Sequence, residues 1–270
     1  MLSMCQFGKG KEIDMIQRSS LGELPGKICP SGAGDTIFAE RLVLGKDVYI
    51  GPNMQLIGTV YLRDGVHIMG NTVFDGTDGP IYIESRTKVE PGVFIVGPAT
   101  IGEDSKLRAK LNFRKSTCGN NCDLRGEIGS SMLGNNIETY ASCIIHDSSC
   151  GDHCKLGAHI NRTTMGHRVS AKYGDSNLLD GEMGDDINVS AGTTFYNFNG
   201  TSKKKTVVNS GSFIGGKIVA PCRIGKNVYM VAGLTIRQDI PDDTYVDPKG
   251  NFRPNVMQND GNGHWMRIKS

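Results

Sequence analysis

Aliphatic and aromatic residues recur at every sixth position over long stretches of this chain. Leu44, Ile50, Leu56, Leu62, Ile68 and Phe74 form one unbroken series, and Ile83, Val89, Ile95, Ile101, Leu107 and Phe113 form a second. Shorter series follow at Ile144, Cys150 and Leu156, at Met183, Val189 and Phe195, and at Ile218, Ile224, Met230 and Ile236. A period of six is neither the 3.6 of a helix nor the 2 of a strand. It fits a coil with three flat sides of about six residues each, one anchor per side turned inward. Glycine follows many anchors directly, as in Leu44-Gly45, Ile101-Gly102 and Ile224-Gly225, and a small residue there lets the chain turn at a corner. Stacked coils then pair their backbones above and below, as in any solenoid.

Composition supports this architecture over its rivals. The 36 glycines in 270 residues exceed the usual share of about 7%, and aromatic content is low, with one tryptophan. A sandwich of short strands would instead show alternation over four to eight residues between longer turns. Thirty basic and 28 acidic residues give a net charge of +2, which points to no nucleic-acid partner beyond one short run, Lys203-Lys204-Lys205. No apolar run approaches the roughly 18 residues that span a membrane. The start, residues 1–11, lacks a charged-then-apolar signal pattern. Eight cysteines are too sparse for a disulfide scaffold, so a cytoplasmic protein with reduced thiols is expected.

The breaks in the period suggest a domain plan. Residues 1–37 lack it and hold Pro25, Pro30 and a Gly-rich turn, which reads as a leader capping the first coil. Residues 38–246 form the β-helix, with expected loop excursions at 157–182 and 196–217. Residues 247–270 read as a polar tail whose Trp265 and Met266 are placed to tuck against a neighbouring subunit.

One segment is more specific than the hexads. Asp185-Asp186-Ile187-Asn188-Val189-Ser190-Ala191-Gly192-Thr193-Thr194 runs into Tyr196-Asn197-Phe198-Asn199-Gly200 and then Lys203-Lys204-Lys205-Thr206. This resembles the acetyltransferase domain of the bifunctional glucosamine-1-phosphate acetyltransferase/N-acetylglucosamine-1-phosphate uridylyltransferase family, a group of hexapeptide-repeat transferases. The later Ile218-Val219-Ala220-Pro221, Ile224-Gly225-Lys226 and Ala232-Gly233-Leu234-Thr235 are similar to that family's acetyl-CoA-binding coils. The stretch from Gly79 to Gly102 resembles the β-helix of related sugar-1-phosphate nucleotidylyltransferases. The resemblance spans roughly residues 38–246. It implies the hand of the coil, an all-β, single-stranded left-handed parallel β-helix, against the usual right-handed crossover.

The resemblance further implies a homotrimer with sites at subunit interfaces, each holding an amino-sugar phosphate and acetyl-CoA. An amine would attack the thioester, a general base would take its proton, and backbone N–H groups would steady the oxyanion. By position, Asn188 and Asn197 would orient the sugar, and Lys203, Lys205 and Arg162 would meet phosphate beside Tyr173. Ala191, Gly216 and Ala232 would let the pantetheine arm lie along the coils, and Lys249 falls where the family has a basic residue for CoA phosphates.

Two departures stand out. Where the family has its catalytic histidine, this chain has Gly174, flanked by Tyr173 and Asp175. The family's supporting acid and a nearby lysine fall at His159 and Asn161, with Arg162 adjacent. Asp175, His167 and His159 are therefore the candidate bases, Asp175 if burial raises its pKa. No Gly-rich nucleotide loop stands near residue 10, so neither a counterpart of the family's N-terminal nucleotidylyltransferase domain nor uridylyltransferase activity is expected.

Plainer readings stand beside these. Asn188 and Asn197 suit turns that need left-handed backbone, the lysine run suits a solvated loop tip, and Asp175 suits a surface turn. Without a base, the chain would be a non-catalytic sugar-nucleotide-binding β-helix, or a scaffold for a separate nucleotidylyltransferase. Cys143, His146, Cys150, His153, Cys154 and His159 invite a zinc reading of the trimeric carbonic-anhydrase type. But His153 and His159 are six apart where those enzymes have five, so no metal is expected.

Overall fold

The computed structural model describes residues 11–14, 36–259 and 265–267, and every regular element among them is a strand. None of those residues forms a helix long and apolar enough to cross a membrane. Most of the leader 1–37 lies outside the described residues. Its strand Lys11–Asp14 pairs antiparallel with residues 41–44. The chain divides into two compact units, residues 1–138 and 139–270. Both are built on the same coil, that of a left-handed parallel β-helix.

In the first unit, anchors one coil apart lie side by side in parallel register: Ile50 beside Ile68, Ile68 beside Val89, Val89 beside Leu107. The strands Thr36–Leu44, Gln55–Leu62 and Val73–Ile83 each cover two successive sides, bending where the register shifts. Each side turns two residues inward, one more than the hexad reading expects. The anchor and the residue two before it are both buried, as with Val48 and Ile50, Val66 and Ile68, and Thr87 and Val89. The reason is the strand's own alternation, which returns every second side chain to the same wall.

The turn is also made differently. At Leu44-Gly45-Lys46-Asp47, the residue in left-handed conformation is Asp47, with φ 54°. Gly45 serves close approach, since a Cβ there would stand 2.5 Å from the Asp64 backbone nitrogen on the next coil. Of the 18 non-glycine residues in left-handed conformation among the described residues, 11 are Asn or Asp, whose short polar side chains tolerate that region.

In the second unit, three parallel ladders make three faces. The first face carries Ile144–His146, His159–Asn161, Asn177–Leu179, Thr194–Tyr196 and Lys217–Val219. The second carries Ser149–Cys150, Thr164–Met165, Gly181–Met183, Thr206–Val208 and Cys222–Ile224. The third carries Lys155–Leu156, Ser170–Ala171, Asn188–Val189, Phe213–Ile214 and Tyr229–Met230. Residues 157–182 are therefore coil, not a loop excursion, with strands on all three faces. Anchors there fall five to seven residues apart, from Ile160 through Met165, Ala171 and Leu178 to Met183, which breaks the hexad period without breaking the stack. Of the second expected excursion, residues 197–205 leave the helix, and Thr206–Val208 and Phe213–Ile214 rejoin it.

A five-residue step from Ile145 to Cys150 shifts the phase of the third sequence series. Ile145, not Ile144, is the buried anchor; Ile144 is 37% exposed.

Many of the second inward positions hold small polar residues, and their hydroxyls bond along the stack. Ser148 Oγ accepts the Thr163 N–H at 3.1 Å and donates to the His146 carbonyl at 2.6 Å. Ser212 Oγ accepts the Val228 N–H at 3.1 Å and donates to the Gly225 carbonyl at 3.2 Å. Cys154 takes the same position, its thiol reaching the Gly166 carbonyl at 3.3 Å. At the far end, Phe252–Pro254 turns back antiparallel on Thr244–Val246. Trp265 packs edge-on against Phe213 and Tyr229 of its own chain, while Met266 stays exposed. The tail thus covers its own third face.

Two stability experiments follow. Ile145→Ser removes a buried side chain and places a hydroxyl among apolar atoms, an expected loss of about 3–5 kcal/mol. Ile144→Ser should stay within about 0.5 kcal/mol of wild type; denaturant unfolding of both variants checks the phase. The second concerns Asp247, held down to about 2 by the Asn251 side chain, by the backbone N–H groups of Asn251 and Lys249, and by the charge of Arg253. The unfolded carboxyl titrates near 3.9. Its contribution is fully present above about pH 4 and is lost as the pH falls toward 2. Asp247→Asn should destabilise at neutral pH, with the gap to wild type closing between about pH 4 and 2 in a series of pH-resolved melts.

Candidate functional site

The outer surface of the first face presents a file of side chains one coil apart: Ile144, His159, Asn177, Thr194 and Lys217. At the corner where the third face turns into the first lie Tyr173, Gly174 and Asp175. The following coils place Ala191 and Gly192, then Gly215 and Gly216, then Ala232 and Gly233 at that corner. Asp175 is exposed, and one carboxyl oxygen stands 3.9 Å from where a Gly192 Cβ would be. Gly216 has φ 88°, and a Cβ there would meet the Leu234 carbonyl oxygen at 2.3 Å, so no larger residue fits. The corner has no bulky side chain along Ala191, Gly216 and Ala232. The single chain leaves Asp175 in solvent and supplies none of the burial expected for it as a base.

At the opposite edge of the first face, another group converges. Arg162 Nε donates to Asp180 Oδ1 at 2.6 Å and its Nη2 to Asp180 Oδ2 at 3.0 Å. Its Nη1 donates to Asn161 Oδ1 at 3.0 Å. The Asn197 amide also donates to Asp180. The Arg162 hydrogen bonds first, then that of Asn197 and the charge of Lys203, hold the Asp180 carboxyl below its usual range. Lys203 itself is exposed, bridged to Phe198 across the 197–205 loop. Three expected phosphate and sugar ligands thus gather around a carboxylate that no motif singled out. A signal for it was present: Asp180 lies eighteen residues after Arg162, one coil away, as Asp104 does from Arg86.

Other expected residues lie elsewhere on the same chain. Asn188 is on the third face between Ser170 and Phe213. Lys205 pairs with Glu182 on the second face. His167 sits at the corner between the second and third faces, its Nδ1 accepting the Asp152 N–H at 3.0 Å. It is therefore one corner removed from Asp175. Lys249 lies in the turn after the third face, its N–H bonded to Asp247 Oδ1 at 2.8 Å.

Gly174, at the family's histidine position, has little room. A Cβ there would stand 2.3 Å from Ser142 Oγ and 2.7 Å from Ser142 Cβ. The zinc set is split by the sheet wall. Cys143, Cys150 and Cys154 point inward, whereas His153 is exposed and His146 and His159 are partly so. Burial pushes the Cys143 thiol up to about 12. Among the described residues, no three His, Cys, Asp or Glu side chains gather in a metal-like group.

No protein-family model matches the sequence. Among curated proteins, the bifunctional protein GlmU of Brevibacillus brevis is 30% identical over 196 residues, covering 69% of this chain and 41% of its own length. GlmU of Caldanaerobacter subterraneus subsp. tengcongensis is 33% identical over 193 residues, covering 69% and 42%. GlmU of Shouchella clausii is 28% identical over 244 residues, covering 86% and 49%. This chain is a relative of the GlmU proteins. The resemblance read from residues 185–206 is borne out, and the chain spans under half the length of these GlmU relatives. Among solved structures, LpxA from Acinetobacter baumannii aligns over 79% of this chain and 69% of its own. Its 17% identity and TM-score of 0.29 are too loose to bear on function.

The crowding at Gly174 makes a test of the missing GlmU-like histidine. Gly174→Ala should cost on the order of 1–3 kcal/mol by overpacking against Ser142. The same change in a Ser142→Gly background should cost clearly less. A double-mutant cycle by denaturant unfolding measures the difference.

Proposed function

We propose that this chain is an acyl-CoA-dependent acyltransferase that moves an acetyl group onto the amine of an amino-sugar phosphate or nucleotide sugar. The observation that carries the reading is a crossing. A run of small corners, Ala191, Gly216 and Ala232, meets the polar first face beside Asp175 and His159. The pantetheine arm would follow the corner along the stack. The sugar would lie across the first face, its amine toward Asp175 and His159 and its phosphate toward Arg162, Asn197 and Lys203. Residues 159 to 162 span about 10 Å at roughly 3.3 Å per residue, wide enough for one sugar phosphate.

In the reaction, the amine nitrogen bonds to the thioester carbonyl carbon. The oxyanion is met by corner backbone N–H groups, and Asp175 or His159 takes the amine proton. Collapse breaks the C–S bond, and the proton passes to the departing CoA thiolate. A homotrimer suits this scheme, because Asn188, Lys205 and His167 face away from the crossing within one chain and would reach it from a second copy. Lys249 would then take a CoA phosphate. A cytoplasmic setting agrees with the described cysteines being free and buried.

A second reading has its own support. Glycine stands where the family has its base, and the Ser142 side chain crowds that position, which favours a module that binds sugar nucleotides without turnover, alone or beside a separate nucleotidylyltransferase.

The assay is thiol release from acetyl-CoA with glucosamine 1-phosphate. Acyl transfer predicts turnover that falls about 10²-fold or more in whichever of Asp175→Asn and His159→Asn removes the base. Sedimentation should give three chains per particle. If no amine acceptor releases thiol while CoA or the sugar phosphate still raises the melting temperature, the binding module replaces the enzyme.

A further inference from the structure

Arg–Asp pairs between left-handed corners one coil apart are a repeated device in this fold. Arg86 grips Asp104 with Nε–Oδ1 and Nη2–Oδ2 both at 2.7 Å. Arg168 grips Asp186 at 2.6 and 2.8 Å. Arg162 and Asp180 repeat the geometry, with both residues at φ near 50°. The first two pairs are exposed braces, with the Asp104 and Asp186 side chains 43% and 50% accessible. Asp180 is 15% accessible, because residues 197–205 fold over it. Its carboxylate also receives the Asn197 amide at the root of that loop, where the Lys204 N–H closes on the Asn197 carbonyl at 2.6 Å.

The hydrogen-bond count on Arg162 then matters. Nε, one Nη2 hydrogen and one Nη1 hydrogen are committed to Asp180 and Asn161. Among the described residues, the remaining hydrogen on each terminal nitrogen has no hydrogen-bond partner, which leaves guanidinium N–H groups for phosphate oxygens. Asp147, one coil before, attracts Arg162 more weakly. A guanidinium already held at one edge loses less freedom when it binds at the other.

We propose that Asp180 is a positioning residue: it fixes the Arg162 guanidinium and the Asn197 root of the 197–205 loop so that the uncommitted N–H groups of Arg162, with Lys203, receive one phosphate group of the acceptor. This deepens the sugar-phosphate reading above and rests on it. Asp180 touches no reacting atom. Its effect falls on recognition of the phosphate and not on the amine end of the face.

The sign of the effect separates positioning from bulk charge. Deleting a carboxylate beside an anion site removes repulsion, which would by itself tighten phosphate binding. Loss of positioning weakens it. Titration calorimetry on the full chain would compare glucosamine 1-phosphate, glucosamine and inorganic phosphate with wild type, Asp180→Asn, Asp180→Glu and Asp186→Asn. The expected result is about tenfold weaker glucosamine 1-phosphate binding in Asp180→Asn, the scale of one lost charge-assisted contact. Glucosamine binding should be unchanged, Asp180→Glu intermediate, and Asp186→Asn like wild type. Should Asp180→Asn fail to fold, the Asp180→Glu and Asp186→Asn comparison still decides. Equal or tighter binding in Asp180→Asn overturns the proposal, as does an equal loss in Asp186→Asn. A wild type that does not prefer the phosphorylated sugar sinks both this proposal and the substrate reading. A preference without thiol release removes acyl transfer and leaves the positioning role standing.

Discussion

Coil-to-coil hydrogen bonding is the constraint on which each unit depends. Every flat side must lay its N–H and C=O groups against the coils above and below, because no helix or hairpin within the side can satisfy them. That requirement sets the strand alternation, and the alternation sets two inward positions per side. Large apolar anchors fill one of these. The other is apolar on some sides, as at Val48, Met54 and Leu111, and serine, threonine or cysteine on others, where it bonds backbone of its own or a neighbouring coil, as at Ser148, Ser212 and Cys154. Such a core is narrow, and most of its hydroxyls find backbone partners, Thr206 Oγ1 being an exception among the described residues, so it tolerates hydroxyls that a helical bundle would exclude.

The same constraint explains what the sequence revealed. Between residues 44 and 113, anchor after anchor falls six apart, and each of these positions is buried. From residue 118 onward, successive anchors within the coils fall anywhere from four to seven residues apart. Cys118, Leu124, Ile128 and Leu133 are all buried, yet no fixed interval joins them. Register in a solenoid is kept by pairing with the coil below, not by the count along the chain. The count therefore mistook Ile144 for Ile145 and read residues 157–182 as loop. The alternation of buried and accessible residues along each short strand was the steadier signal.

For the candidate site, the sequence supplied cations and amides but not the acid that organises them. Asn197 and Lys203 were legible because they match a motif residue for residue, and Arg162 because it stands next to the position of the family's lysine. Asp180 was not, because its meaning lies in a neighbour one coil away. Spacing by a whole coil is to a solenoid what i, i+4 spacing is to a helix. Read that way, Arg86 with Asp104, Arg162 with Asp180 and Arg168 with Asp186 are one pattern, in which Asp180 is the least exposed of the three carboxylates.

The excursion between Tyr196 and Thr206 leaves the second unit at a corner and returns to the next side with the ladder intact. Because both feet stand on adjoining sides of one coil, its length and composition are free of the demands that bind the coils. Evolution, or an engineer, can therefore exchange this nine-residue handle as a cassette. The barrel of stacked coils would act as an inert chassis, and what it grips would be rewritten without retuning a single anchor.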